Sequence, residues 1–170
     1  AQRKEKIRQG VEAAAKENNG IAVIDEALLD EVASLNEWPV PLVGKFDERF
    51  LEVPTEALIS SMKEHQKYFH MLDEKGGMMP NFITLANIES KDPQQVIEGN
   101  ERVIRPRLSD AAFFFETDKK AKLEDRREQL KKIVFQTKLG TVYDKTERVS
   151  VLAGKISAAI GGKPADSERA

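Results

Sequence analysis

The sequence predicts an α+β fold, rich in helix, with a small antiparallel sheet packed against helices and followed by a mostly helical part. Three observations carry that prediction. Two N-terminal stretches repeat apolar residues at helical spacing, two later stretches alternate as strands do around a DEKGG turn, and from Gln94 onward the pattern is helical almost throughout.

From Arg3 to Asn18, Ile7, Val11, Ala14 and Ala15 fall on one helical face, and Asn19-Gly20 supplies a C-terminal stop. A second helix is expected from Asp25, with Leu28, Val32 and Leu35 on one face. The run WPVPLVGKFDERFLEVP, with its prolines and β-formers, predicts short extended segments, with a turn over Gly44 to Asp47. Pro54 suits a first helical turn, where its missing N–H costs nothing. Leu58, Ile59 and Met62 then mark the buried side of a helix ending near Gln66.

Lys67 to Leu72 and Met78 to Asn87 predict two antiparallel strands, with Phe82, Thr84 and Ala86 alternating against Ile83, Leu85 and Asn87. Four helices are expected afterwards: Gln94 to Ile104, Leu108 to about Thr117, Leu123 to Thr137 and Val142 to Ile160. Pro106 is expected to break or kink the first of these, because it lacks a donor and crowds the preceding turn. The shift of composition near Ser90 to Pro93 divides an α+β part, 1–92, from a helical part, 93–170, truncated at its C-terminal end.

Composition narrows the function classes. With 40% hydrophobic and 33% charged residues in 170, the chain can bury one sizeable core or two small ones. The absence of cysteine removes disulfides, thiolate metal ligands and a thiol nucleophile from consideration. Apolar runs fall far short of the roughly 20 residues that cross a bilayer. The opening AQRKEKIRQG is no secretory signal, so no membrane association and a cytoplasmic location are the default expectations. The chain opens inside a helical pattern, and KPADSERA stops where Asp166 or Ser167 could cap another helix, so an internal piece of something longer is expected. The net charge of −2 conceals basic clusters from Arg102 to Arg107 and from Lys119 to Lys145, which leaves a polyanionic partner open.

His65 and His70, near Glu64 and Asp73, raise a metal or acid–base reading. Their five-residue spacing puts them on different faces of a helix, so surface or packing roles are expected and no metal site is assigned. His65 with Lys63 and Lys67 could present donors to a phosphate; the alternative is a solvated helix end, where Lys67 favours the negative pole of the dipole. Glu98, Glu101, Asp110, Glu116 and Asp118 are carboxylates enough for acid–base chemistry. Cations lie within helical reach, however, and the pairs Glu98–Arg102, Glu101–Arg105 and Arg107–Asp110 are expected instead. The glycines of EKGGM and IGGKP lack the spacing of a nucleotide-binding loop and read as turns.

Arg102, Arg105 and Arg107, beside Asn100, form the strongest basic constellation. Guanidinium forks match phosphate geometry, and an RNA groove combines such charges with flat side chains such as Phe113, Phe114 and Phe115. Pairing within the molecule and contact with RNA both remain open for the arginines. Three successive phenylalanines on a helix cannot all face one way, though at least two can enter the core, with a partner surface as the alternative.

The strings EWPVPLVGKFDERFLEVPTEALISSMKEHQKYFHML, PNFITLANIESKDPQQVIEGNERVIRPRLSDAAFFFETDKK and LEDRREQLKKIVFQTKLGTVYDKTERV resemble the β subunit of the bacterial heterotetrameric glycine–tRNA ligase, over about Ala22 to Arg169. The resemblance implies an internal fragment of a much larger subunit. By that likeness the α+β part is similar to the B3/B4 module of phenylalanine–tRNA ligase, and the helices after KLGTVYDKTERV are similar to the beginning of an HD-like domain. It implies a partner α subunit that holds the catalytic centre and uses ATP with magnesium, in an α2β2 enzyme. The β subunit would supply recognition of glycine-accepting tRNA and subunit architecture.

The sequence departs from a working HD centre: it has no His-Asp dipeptide, and both histidines precede the helical part. No catalytic residue, metal ligand or cofactor contact is therefore carried onto this fragment. The expected tRNA contacts are Lys63, Lys67, Arg102, Arg105 and Arg107. The alternative is a structural scaffold or subunit-interaction module that does not touch tRNA, and editing activity would rest on fold analogy alone.

Overall fold

The structure, a computed structural model, describes residues 2–163, so the possible cap at Asp166 or Ser167 lies outside the described residues. Helix α1 (Gln2–Glu17) leads to β1 (Ile21–Ala22), α2 (Glu26–Leu35), β2 (Val40–Lys45), a 3-10 helix (Glu48–Glu52), α3 (Thr55–Gln66), β3 (Phe69–Leu72), β4 (Met78–Ala86) and α4 (Pro93–Lys119). A succession of 3-10 turns (Glu124–Lys132), the short strands β5 (Val134–Gln136) and β6 (Gly140–Thr141), and α5 (Val142–Ala159) follow. The fold is α+β, with a four-stranded antiparallel sheet in the order β1-β3-β4-β2.

The helix ends carry the chemistry that the sequence announces. At the close of α1, Asn19 adopts φ 57°, the Asn19 N–H donates to the Lys16 carbonyl at 3.1 Å, and the Gly20 N–H donates to Ala15 at 3.0 Å. Orphan carbonyls of the last turn are thereby satisfied. Asp25 caps α2 by accepting the Leu28 N–H at 2.9 Å. Pro54 serves as the N-cap of α3 and not within its first turn.

Both faces of the sheet are covered, which the alternation in β4 alone did not reveal. On one face Phe69, Met71 and Ile83 join Ile7, Val11 and Ala15 of α1 and Leu28, Leu29 and Val32 of α2. On the other, Phe82 joins Leu58 and Met62 of α3, Phe46, Phe50, Tyr68, and Ile104 and Leu108 of α4. Adjacent β4 residues point to opposite faces, so Phe82 and Ile83, both fully buried, each anchor a different cluster.

Gly44 is not part of a turn, as its type suggested, but a strand residue of β2 paired with Phe82. A Cβ there would stand 2.4 Å from Cζ of the Phe82 ring, so glycine makes room for the aromatic side chain. The sheet's edge strand also absorbs Pro41, where a missing donor is tolerated.

Of the break or kink expected at Pro106, the break does not occur: helix α4 runs unbroken through it. Ile104 and Leu108, fully buried on either side of Pro106, seat the flanking turns in one cluster while the proline itself is exposed. Packing thus compensates the bond that the Arg102 carbonyl loses. Tyr68 reinforces the seat: its ring stacks on Phe82 at 4.5 Å, and its hydroxyl donates to Asn100 Oδ1 at 2.6 Å.

The expected division at 92/93 falls at the start of α4, whose buried residues share a core with the sheet. Packing divides the chain into residues 1–116 and 117–170. In the second unit, the expected helix from Leu123 to Thr137 is replaced by the 3-10 turns and the β5–β6 pair. EDRREQLKK offers no apolar stripe to bury, and Leu123 is 85% exposed. Helix α5 forms as expected and starts in a capping box, Thr141 accepting the Asp144 N–H while the Asp144 carboxylate accepts the Thr141 N–H.

Gly44→Ala should lower stability by about 1–3 kcal/mol through overpacking against Phe82, read as a lower urea midpoint with an unchanged slope. Burial pushes the Tyr68 hydroxyl up to about 12 from its ordinary 10.0. A pKa raised on folding favours the protonated form, so this contribution is intact below pH 10 and fades as pH rises toward 12. Tyr68→Phe should flatten the alkaline loss of stability in urea titrations made across that range.

Candidate nucleic-acid interface

The five cations singled out from sequence separate into two groups. Lys63, in the last turn of α3, is 2.5 Å from Asp25 Oδ2, and Lys67 Nζ is 2.8 Å from Glu31 Oε1. Both partners lie at or in α2, so these lysines tie α3 to α2. Lys67 also occupies the left-handed region at φ 60°, closing α3 as its C-cap, with the Lys67 N–H donating to Lys63 O and the Tyr68 N–H to Met62 O. The Lys63 ammonium, followed by the Leu28 N–H, holds the Asp25 carboxyl below its ordinary value.

Arg102, Arg105 and Arg107 are exposed, and among the described residues none of them forms an ion pair. The expected helical pairs do not form. Glu101 turns its Oε1 to the Lys45 backbone N–H at 2.9 Å, and Glu98 accepts from the Gln94 side chain at 3.2 Å. Asn100, expected beside the arginines, faces inward: it accepts from Tyr68 and donates to the Val96 carbonyl at 2.8 Å.

Only one of the three consecutive phenylalanines packs against the core. Phe115 lies against the cluster that holds Ile104 and Leu108, whereas Phe113 and Phe114 are 64% and 62% exposed. Their rings meet edge to face at 5.6 Å. At 100° per residue, Arg102, Pro106 and Phe113 fall within one narrow arc opposite the buried side of α4, flanked by Val103, Arg107 and Phe114. The outward side of the helix therefore combines free guanidinium groups with exposed aromatic and apolar surface.

Beside it lies a cleft of about 440 Å³ that sequence reasoning missed, lined by Lys45, Phe46, Asp47, Phe50, Glu101 and Arg105. The misreading of Gly44 to Asp47 as a turn hid it, because Lys45 ends a strand that the Glu101 carboxylate fastens to α4. The pairing of two segments so far apart in sequence has no local signature.

The histidines do not converge. His65 is exposed on α3, while His70 is half-buried on β3, where burial lowers its pKa ahead of smaller effects of Asp25 and Lys63. Among the described residues no group of three or more His, Cys, Asp or Glu could hold a metal ion. In the second unit Arg127 pairs with Glu147, Arg126 with Asp118 at 3.1 Å and Lys131 with Glu128 at 2.7 Å. Lys145 stands over the Phe135 ring at 4.6 Å. Much of the basic run from Lys119 to Lys145 is thus engaged within the molecule. No helix among the described residues is long and apolar enough to cross a membrane.

The geometry defines a class of surface: a basic, aromatic helix face beside a charged cleft on an α+β support. The particular family is given by comparison. The family model described as "Glycyl-tRNA synthetase beta subunit" matches residues 1–170, and the chain belongs to that family. It is 69% identical over its whole length to the glycine–tRNA ligase β subunit of Marinobacter nauticus, 68% identical over 99% of its length to that of Hahella chejuensis, and 59% identical over its whole length to that of Stutzerimonas stutzeri. The similarity includes α1, beyond the stretch that carried the sequence resemblance. The chain spans about a quarter of the length of these curated relatives.

The Asp25–Lys63 pair yields a pH prediction. A carboxyl pKa lowered on folding contributes stability above the ordinary value of 3.8 and loses it as pH falls through the folded value. Asn retains capping ability at Asp25 but not the charge. Asp25→Asn should therefore be less stable than the parent at neutral pH, with the difference shrinking below pH 3.8, as measured by urea midpoints across an acid series.

Proposed function

We propose that this chain is the part of a glycine–tRNA ligase β subunit that helps hold glycine-accepting tRNA while the α subunit carries out ATP- and magnesium-dependent aminoacylation, in an α2β2 enzyme of the cytoplasm. The observation that supports this reading is the outward side of α4, where Arg102 and Arg107 have no acidic partner among the described residues and Phe113 and Phe114 stand exposed. Uncompensated guanidinium groups attract a phosphate backbone, and exposed rings offer stacking to unpaired bases. Fixing the acceptor arm in this way lowers the entropic cost of bringing two large reactants into register. The chemistry itself belongs to the α subunit in this scheme, and the present residues contribute binding and orientation.

A second reading, assembly without direct tRNA contact, is favoured by a different patch. Leu35, Trp38 and Ile88 are 61%, 55% and 67% exposed. Asn87 Oδ1 accepts both the Glu37 and Trp38 N–H groups at 2.7 Å, and Lys6 stands over the Trp38 ring at 4.7 Å. A rigidly presented tryptophan suits a protein partner.

Labelled glycine-accepting tRNA, titrated against the chain over a salt series beside an unrelated tRNA, separates the readings. Salt-dependent binding is expected, weakened by the double charge reversal Arg102→Glu/Arg105→Glu, with a salt slope shallower by about two. Absence of binding by the folded chain would favour assembly through the Trp38 patch.

A further inference from the structure

The cleft between the end of β2 and α4 carries a more specific assignment, which rests on the RNA-holding reading above. Its carboxylates are already engaged. Asp47 Oδ1 accepts the Arg49 N–H at 3.0 Å, Asp47 Oδ2 lies 3.5 Å from the Arg49 guanidinium, and Glu101 Oε1 accepts the Lys45 N–H. The Lys45 ammonium and the Arg105 guanidinium, both exposed at the same cleft, have no carboxylate partner among the described residues. The lining holds two cations and two carboxylates, and because both carboxylates already accept from protein donors, the ammonium and the guanidinium are the groups left for a ligand.

We propose that this cleft is a phosphate-binding site in which Lys45 and Arg105 hold one backbone phosphodiester of the bound RNA, with Arg102, one helical turn earlier, continuing the track along α4. A guanidinium fork and a mobile ammonium complement each other on such a group, the first fixing orientation and the second supplying a point charge. The low-dielectric floor formed by Phe46 and Phe50 strengthens attraction at the cleft. Those rings are only 8% and 3% exposed, so they offer no stacking platform. The cleft therefore suits a phosphate and not a base, and it positions the strand without reading its sequence. Arg107 is five residues from Arg102 and on the opposite flank of α4 from Arg105, outside this track.

The test is tRNA binding over a salt series by the parent chain and by Lys45→Ala, Arg105→Ala and, as a control, Lys75→Ala, with circular dichroism confirming that each is folded. Lys45→Ala and Arg105→Ala should each weaken binding about threefold or more and reduce the log–log salt slope by about one. Lys75→Ala, at the exposed β3–β4 turn away from α4, should leave the slope at the parent value. In a parallel arm, inorganic phosphate is titrated while amide resonances of residues 45–50 and 101–105 are followed by NMR. Shifts there that Lys45→Ala abolishes support the phosphate site and, if tRNA fails to bind, assign it to a free phosphate instead of RNA. Parent binding to tRNA with unchanged slopes for Lys45→Ala and Arg105→Ala would overturn the cleft assignment alone. No tRNA binding and no phosphate shifts would overturn both the assignment and the reading it rests on.

Discussion

Phe82 and Ile83 are neighbours on β4, and each is fully buried against a different set of helices. That double burial is the constraint on which the rest of the first unit depends. A strand alternates its side chains, so a single extended segment can support two cores only if helices cover both faces of its sheet. Helices α1 and α2 close one side. On the other, α3 and α4 converge on Phe82, and Gly44 is the residue that leaves room for its ring. Once Ile104 and Leu108 are committed inward, helical geometry turns Arg102, Pro106 and Phe113 outward. The candidate interface is thus a consequence of how the core is filled.

The same logic sorts the charges. Lys63 and Lys67 meet carboxylates of a neighbouring element and join α3 to α2, and Glu101 reaches back to the backbone of Lys45. Partly exposed ion pairs of this kind contribute modestly to stability, but they remove their members from the charge available to a ligand. Among the described residues of the first unit, Lys45 at the cleft and Arg102, Arg105 and Arg107 on α4 keep no carboxylate partner, as do scattered exposed lysines such as Lys16, Lys75 and Lys91. Sequence proximity to acids was a poor guide to this outcome: Arg102 and Arg105 each have a glutamate four positions earlier, yet both carboxylates are turned to other donors.

Much of the fold was legible in the sequence where local physics decides. The periodicity of Ile7, Val11 and Ala15, the Asn19-Gly20 stop, the Asp25 cap, the end of α3 near Gln66 and the β3–β4 hairpin all depend on neighbours in sequence. The failures arose where distant packing overrules local preference. Gly44 resembles a turn residue until Phe82 is opposite it, and Pro106 resembles a helix break until Ile104 and Leu108 bury the turns around it. Around Leu123 the error ran the other way, since helix-forming residue types without an apolar stripe gave 3-10 turns and a short hairpin. The arginines of the interface were visible as a cluster, whereas Lys45 was not, because its relation to Arg105 is created only when β2 and α4 are brought together.

Burial of one side of α4 leaves the other side as the proposed RNA-facing surface. Ultraviolet cross-linking of the chain to glycine-accepting tRNA, with the linked peptides identified by mass spectrometry, tests it most directly. Cross-links are expected in the peptides that span Arg102 to Phe114, together with the segment around Lys45. Cross-links confined to α1, or to the Lys63–Lys67 region whose cations are already paired, would contradict that expectation.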